Sequence, residues 1–387
     1  MARILVNTGS APSVDVGASG YPTREPLAFH RRLPGYAPTP LVRAPTLARR
    51  LGVAEVLVKD ESSRLGLPSF KVLGASWAVY RTIIDDLGAD LPAAANLAQL
   101  RTALAEVGPR RLVTATDGNH GRAVARMAAL LGWPARIYVP ADMVAARRRG
   151  IAAEGAQIVE VAGGYDDAVE AAAQQATADE LVIADTAHGG RETVPRRVAQ
   201  GYSTIFWEID DEIGERGLAP PTAVAVQIGV GALAAAAVCR YRTGLDPVPP
   251  LLIGVEPQGA DCALASVAAG TPTPVPAPHR SIMAGLNCGR VSPVAWPLLR
   301  SGIDVFVAVE DDDARQAMRA LKAAGVVSGE SGAAGLAGVT ALIDAGAVAI
   351  PGGPGGRDGR DGDACILLLS TEGATDPDAY AAIVGCG

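Results

Sequence analysis

The sequence predicts an α/β protein of two domains, each a mostly parallel, twisted sheet flanked by helices. Three observations carry that expectation. Short apolar runs alternate with segments whose apolar residues recur at helical spacing, the pattern of parallel strands covered on both faces. The chain has 387 residues, too many for one small core. Apolar residues make up 49% and aromatic ones only 4%, with 45 glycines, which favours closely packed helices and Gly-rich turns around a large core.

Residues 1–35, rich in Gly, Pro and Ser, read as an arm on the body of the protein. Tyr36-Ala37-Pro38-Thr39-Pro40-Leu41-Val42 reads as extended, because a residue before proline is biased away from helix. Pro45 to Leu51 is a short helix ending at Gly52, and Val56 to Asp60 a buried strand. Lys71 to Leu87 follows as a helix with apolar positions at roughly helical spacing. Strands are then expected at Leu112–Ala115, Ala135–Val139, Gln157–Val161 and Leu181–Ala184, and helices at Gly121–Leu131, Ala145–Glu154, Tyr165–Asp179 and Val194–Ile209. Further on, strands at Ala223–Gln227, Leu251–Glu256, Asp304–Val309 and Ala364–Leu369 alternate with helices at Ala232–Arg242, Asp312–Ala324 and residues 333–345. The Pro-rich stretch 270–280 reads as a loop, and the Gly-rich stretch 351–363 as a flexible surface loop without chemistry. The expected division gives a large domain of residues 1–73 and 206–387 and a small one of residues 74–205.

Net charge is −7, and Arg147-Arg148-Arg149 is the one basic triplet that stands out. It reads as a solvated helix face, so composition argues against a nucleic-acid partner. None of the five cysteines (Cys239, Cys262, Cys288, Cys365, Cys386) has zinc-ligand spacing, so no metal site is expected. Cys262 and Cys288 flank one loop region and could approach each other. The odd cysteine count and the short Ile4-Leu5-Val6 run, which is no signal-peptide core, indicate a cytoplasmic protein. No apolar run reaches the ~18 residues of a membrane span.

Four segments carry the chemistry. Ser69-Phe70-Lys71 places a lysine at the start of a helix, where the dipole disfavours a positive charge and favours the neutral amine. Such an amine can form a Schiff base with an aldehyde. Thr114-Ala115-Thr116-Asp117-Gly118-Asn119-His120-Gly121 is a strand-to-helix turn whose N–H groups suit a carboxylate. Asn119 there can hydrogen-bond a phenolic oxygen. Asp117 reads either as a helix cap or as a carboxylate waiting for a cation. Gln227-Ile228-Gly229-Val230-Gly231-Ala232-Leu233 is a second Gly-rich turn, suited to phosphate. Taken alone it could be a dinucleotide turn, but the next strand offers no ribose-binding acid beyond Glu256. Leu369-Ser370-Thr371-Glu372-Gly373 ends the last strand, where hydroxyls face the ligand crevice of an open sheet. Each segment alone also fits an ordinary turn.

In this order and spacing the segments resemble the fold-type II pyridoxal 5'-phosphate (PLP) enzymes, which include threonine and serine dehydratases, cysteine synthase and tryptophan synthase β. Within that group the chain resembles the diaminopropionate ammonia-lyases from about Phe29 to Asp376. Leu33-Pro34-Gly35-Tyr36, Lys59-Asp60-Glu61-Ser62-Ser63-Arg64-Leu65-Gly66, Asp117-Gly118-Asn119-His120-Gly121, Asp185-Thr186, Gln200-Gly201-Tyr202 and Met283-Ala284-Gly285-Leu286-Asn287-Cys288-Gly289 carry the resemblance. Asp117 is the most specific of these, since threonine dehydratases usually have a small residue there. The resemblance implies a cofactor in the interdomain cleft, with Lys71 forming the Schiff base beside Phe70. Gly229, Val230, Gly231 and Ala232 hold the phosphate, Asn119 contacts the ring oxygen O3′, and Thr371, or Ser370, faces the ring nitrogen. Thr116, Gly118 and His120 surround the substrate carboxylate. Asp117 and Asp185 are acid/base groups or partners for a second amine. A homodimer is also implied. One run departs from the family pattern: Ala187-His188-Gly189-Gly190-Arg191-Glu192 follows Asp185-Thr186 where an aromatic-Glu-Gly-Tyr type run is usual. It bears on the substrate, and His188 reads as a substrate contact or as an exposed loop residue.

The implied reaction is α,β-elimination of ammonia from 2,3-diaminopropionate, giving pyruvate and ammonia. A hydroxy-amino-acid dehydratase or a β-replacement enzyme on the same scaffold is the alternative. A sensor that keeps the fold without the chemistry is the non-enzymatic one, and the intact Lys71 argues against it.

Overall fold

The computed structural model describes residues 1–16, 23–87, 96–108, 110–177, 179–187, 189–353 and 362–385. His188, Cys386 and most of the 351–363 loop lie outside the described residues. The strands are β1 (Arg3–Val6), β2 (Leu41–Arg43), β3 (Glu55–Asp60), β4 (Arg111–Ala115), β5 (Ala135–Pro140), β6 (Gln157–Val161), β7 (Glu180–Val182), β8 (Ala223–Gln227), β9 (Leu251–Pro257), β10 (Val305–Val309) and β11 (Cys365–Ser370). The chain forms two compact units, one of Met1–Pro22, Pro38–Ser63 and Ile205–Gly387, the other of Thr23–Ala37 and Arg64–Thr204. Lys71 falls in the second. No helix among the described residues is long and apolar enough to cross a membrane.

In the first unit a seven-stranded sheet runs β1-β10-β9-β8-β11-β3-β2. Its five inner strands are parallel and the two edge strands antiparallel. The inner strands β8, β10 and β11 are buried at every position, as expected of strands covered on both faces. The expected arm over residues 1–35 is in part a strand: Arg3 to Val6 pair with Ala308 to Val305 and close one edge of the sheet. Backbone pairing forms it, and a run of three apolar residues is too short to announce that in sequence. The helix Glu330–Ala345 explains the wealth of small residues. A Cβ on Gly338 would come within 2.4 Å of Val255, so this helix lies against the sheet at a distance only glycine permits. At the end of β3, Lys59 is buried and ion-paired to Glu208 at 2.8 Å, its Nζ also donating to the Thr39 carbonyl at 2.6 Å.

In the second unit a four-stranded, all-parallel sheet runs β6-β5-β4-β7. Val113, Ala115 and Tyr138 pack under Ala168 and Ala172 of the helix Tyr165–Gln175. The helix Lys71–Leu87 begins and ends where the spacing predicts. It is braced by the buried His30, whose ring nitrogens lie 2.7 Å from Thr204 Oγ1 and 2.9 Å from the Leu73 carbonyl. The single helix expected over Val194–Ile209 is instead two, Thr193–Gly201 and Ser203–Arg216. The break has a packing cause. A Cβ on Gly201 would sit 2.5 Å from the Leu73 carbonyl, and one on Gly74 would sit 2.5 Å from the Tyr202 ring. Glycine at both positions brings the two backbones together and lets Tyr202 lie over the start of the Lys71 helix.

This packing predicts opposite effects for two glycine substitutions. Gly201→Ala should lower stability by about 2 kcal/mol in urea unfolding, because the carbonyl it meets cannot turn aside. Gly214→Ala, where the new methyl meets nothing within 4 Å, should leave stability unchanged or raise it by roughly 0.5–1 kcal/mol.

Candidate active site

The carboxyl ends of parallel strands, where the chain reverses its order across the sheet, are where ligands bind in open α/β sheets. In the second unit that point lies between β4 and β7: the chain runs from β4 out to β6 and then returns to β7 on the other side. The turn Thr116–Gly118 follows β4, and Asp185 follows β7. Lys71 Nζ lies 3.0 Å from Asp185 Oδ2, both side chains being largely buried. The hydroxyl of Tyr165 donates to the other oxygen, Oδ1, at 2.7 Å. Phe70 supplies an apolar wall, its ring 4.6 Å from that of Tyr202 and its centroid 5.7 Å from Lys71 Nζ. A small cavity of about 80 Å³ opens beside Asp185 and is lined also by Tyr165, Ala184, Thr186 and Arg191.

The Thr116 turn is built tightly. Its hydroxyl oxygen accepts the N–H groups of Gly118 and Gly121 at 2.9 and 3.0 Å. Gly118 has φ 150°, where only glycine is at ease, and a Cβ on Gly121 would strike Thr116 and Ile137. Because the Gly118 N–H is already taken, an anion at this turn would instead meet the Thr116 hydroxyl and the first helical residues, Asn119 and His120. The His120 side chain is buried, and its Nε2 lies 2.7 Å from the Ile183 carbonyl. A carbonyl only accepts, so Nε2 carries the proton and Nδ1 is an acceptor, buried and without a partner among the described residues.

Charges at the site reinforce one another. Burial works against the Lys71 ammonium, but Tyr202, Asp185 and Asp117 outweigh it and hold its pKa above the ordinary lysine value. Burial likewise works against the Asp185 carboxylate. Lys71 first, and then the bond from Tyr165, hold its pKa well below the usual carboxylate range. The expectation of a neutral amine at the helix start is therefore corrected, since the adjacent carboxylate overrides the dipole. Burial, foremost, keeps the His120 pKa below its usual value, and the ring is neutral.

In the first unit the order of strands reverses between β8 and β11, and the two remaining segments follow these neighbours. Gly231, with φ 100°, caps the helix Ala232–Tyr241, and a Cβ there would press on Ala295 and Leu299. A Cβ on Gly229 would lie 3.1 Å from the Gly285 carbonyl. Close packing therefore requires glycine at both positions, and the turn leads into the start of a helix, the kind of place that suits a phosphate. Gln227 ties it to β11 by donating to the Leu369 carbonyl at 2.7 Å. Beyond β11, Ser370 Oγ donates to Ser328 Oγ at 2.9 Å, and Thr371 follows it. Cys262 and Cys288 both lie against Gly229 as buried thiols that form no disulfide. Glu256, weighed above as a ribose ligand, instead accepts the N–H groups of Ala263 and Leu264, both at 2.8 Å, and burial pushes its pKa up to about 8. That commitment removes the dinucleotide reading.

The sequence holds three lysines, Lys59, Lys71 and Lys322. Lys59 is locked in its buried ion pair, and Lys322 bonds the Gly385 carbonyl at the surface. Lys71 alone stands at a ligand-binding edge. Sequence reasoning missed Tyr165, which follows a plain Gly163-Gly164 pair and belongs to no motif. It left Tyr202 without a role, although that residue stands in the Gln200-Gly201-Tyr202 run.

A buried lysine paired with a carboxylate, in a chain that also carries a Gly-rich strand-to-helix turn on a parallel sheet, fits a pyridoxal-phosphate dependent enzyme, and the sequence profile of the family so described matches residues 32–351. The chain is 36% identical to a diaminopropionate ammonia-lyase of Salmonella typhimurium, with 100% of this chain and 96% of that protein covered. The structure of the Escherichia coli diaminopropionate ammonia-lyase in complex with D-serine superposes with a TM-score of 0.88 at 32% identity, covering 100% of this chain and 97% of that one. The same enzyme in complex with an aminoacrylate-PLP azomethine reaction intermediate gives 0.85, at the same identity and coverage. The chain belongs to the diaminopropionate ammonia-lyase family.

The ion pair predicts how Lys71 titrates. Asp185 favours the charged amine, so Asp185→Asn in the cofactor-free protein should lower the Lys71 pKa by roughly one unit or more. The pH dependence of Lys71 modification by an amine reagent, read by peptide mass spectrometry, measures it; an unmoved profile would show that the pair does not govern the amine.

Proposed function

We propose that this protein catalyses PLP-dependent α,β-elimination of ammonia from 2,3-diaminopropionate, giving pyruvate and ammonia as a carbon–nitrogen lyase. The Lys71–Asp185 pair is the observation that carries the reading. Lys71 would hold the cofactor through its amine, the Gly229–Ala232 turn its phosphate and Asn119 its phenolic oxygen. Ser370 is engaged with Ser328, which favours Thr371 for the ring nitrogen. When bound, PLP withdraws electrons from the Cα–H bond and makes that proton removable.

The residues of the chain do the rest. Lys71 Nζ, when neutral, takes the Cα proton of an L-substrate, and Asp117 serves the other face for a D-substrate. Asp185 accepts the substrate's β-ammonium while Lys71 lacks its charge. Nitrogen then leaves as ammonia without a further proton. Lys71, now protonated, recovers Asp185. The donors at Thr116, Asn119 and His120 suit the substrate carboxylate, and the neutral His120 adds no charge to it. A cytoplasmic homodimer accompanies this reading; the buried thiols at Cys239, Cys262, Cys288 and Cys365 are consistent with a reducing compartment.

Pyruvate formation from 2,3-diaminopropionate, serine, threonine and O-acetylserine, assayed side by side, tests the substrate. Diaminopropionate should exceed the others by at least about tenfold, the weight of one charge-assisted contact; equal or faster turnover of serine or O-acetylserine would sink the proposal. Asp117→Asn should lower turnover of diaminopropionate by about a hundredfold with PLP content retained. Equal losses in both would leave Asp117 a structural residue.

A further inference from the structure

Asp185 is held from both sides, and only one of its partners has a role in the elimination. Lys71 occupies Oδ2 at 3.0 Å, and the Tyr165 hydroxyl donates to Oδ1 at 2.7 Å. Two donors on the two oxygens fix the plane of a carboxylate that one donor would leave free to turn. Tyr165 is itself held firmly. It is the first residue of the helix Tyr165–Gln175, whose start is tied by the Gly164 N–H donating to Asp167 Oδ2 at 2.7 Å, and whose Ala168 and Ala172 are buried against β4 and β5. Asp185, by contrast, lies on the irregular segment after β7, which has no strand or helix of its own to fix a side chain. The rigid helix thus lends the loop carboxylate its orientation.

We propose that Tyr165 is a positioning residue for the elimination: its hydroxyl holds the Asp185 carboxylate ionised and turned toward Lys71 Nζ, ready to pair with the β-ammonium of a diamino substrate. The inference rests on the elimination reading for its substrate and on geometry alone for the contact. A phenolic O–H donated to a carboxylate favours the charged form, and a carboxylate held on Nζ favours a proton there. Removing the hydroxyl weakens both effects.

Tyr165→Phe keeps the ring and tests this in the PLP-loaded protein. The visible absorption band at about 410–420 nm reports protonation at Lys71 Nζ, and its pH titration should move to lower pH by about half a unit or more. kcat/KM on diaminopropionate should fall about tenfold, the scale of a hydrogen bond to a charged group. In an Asp185→Asn background the same substitution should do neither, costing less than about twofold, because residues acting through one another are not additive. An unshifted titration, or an equal loss in both backgrounds, overturns the proposal. If the wild-type protein fails to turn over diaminopropionate, the elimination reading falls, while the spectral shift still decides the contact between Tyr165 and Asp185.

Discussion

Everything at the lysine depends on a carboxylate 3.0 Å from its amine. The start of a helix disfavours a cation by about 0.3–1 kcal/mol, whereas breaking one side of a buried ion pair costs about 3–5 kcal/mol. The pair therefore decides the charge, and Lys71 waits as an ammonium rather than as a free amine. This sets an order of events. Bonding to an aldehyde requires a neutral amine, so loading with cofactor must displace a proton that Asp185 helps to retain. The same carboxylate makes Lys71 a stronger base whenever the amine is free again, which is the property needed to remove a weakly acidic Cα proton.

The parallel sheet brings these groups together. Thr116 and Asp185 are 69 residues apart in the chain but stand at the ends of adjacent strands, β4 and β7, because the chain crosses back between them. The first unit repeats the device with β8 and β11, whose ends carry the Gly229–Ala232 turn and Thr371. At both places glycine is a steric requirement. Gly121 fits between Thr116 and Ile137, and Gly231 between the helix it caps and Leu299, with no room for a methyl group. The chemistry sits on loops, while strands with buried faces hold those loops in place.

How much of this the sequence discloses follows from the range of the interactions. Alternating apolar runs announce the inner strands, and the helix Lys71–Leu87 is legible to the residue, because burial on a fixed period is a local signal. Lys71, Asp117 and the Gly229 turn stand out as site candidates because each lies in a run of special residues. The edge strand Arg3–Val6 is not, since pairing with residues 300 positions away leaves no mark on four residues. The break at Tyr202 is hidden for the same reason: only the Leu73 carbonyl across from Gly201 makes it necessary. Tyr165 illustrates the limit most clearly. One hydroxyl reaching a carboxylate twenty positions away has no spacing rule, and only the fold brings the two together.

The charge balance at Asp185 bears on which substrates suit the site. While Lys71 is protonated, the buried carboxylate has its cation. Once the amine is neutral, as it must be to accept a proton, the carboxylate is left without one, and a buried unpaired charge is costly. Serine and threonine carry a neutral hydroxyl at Cβ and offer it at most a hydrogen bond. A 2,3-diamino acid brings an ammonium to that carbon and, in the proposed reaction, would restore the pair. Its departure as neutral ammonia would remove the cation at the moment when Lys71, having taken the Cα proton as proposed, becomes one again. Under the proposed elimination a single cation site would be filled in turn by lysine, substrate and lysine, so that release of the leaving group and protonation of the base would each favour the other.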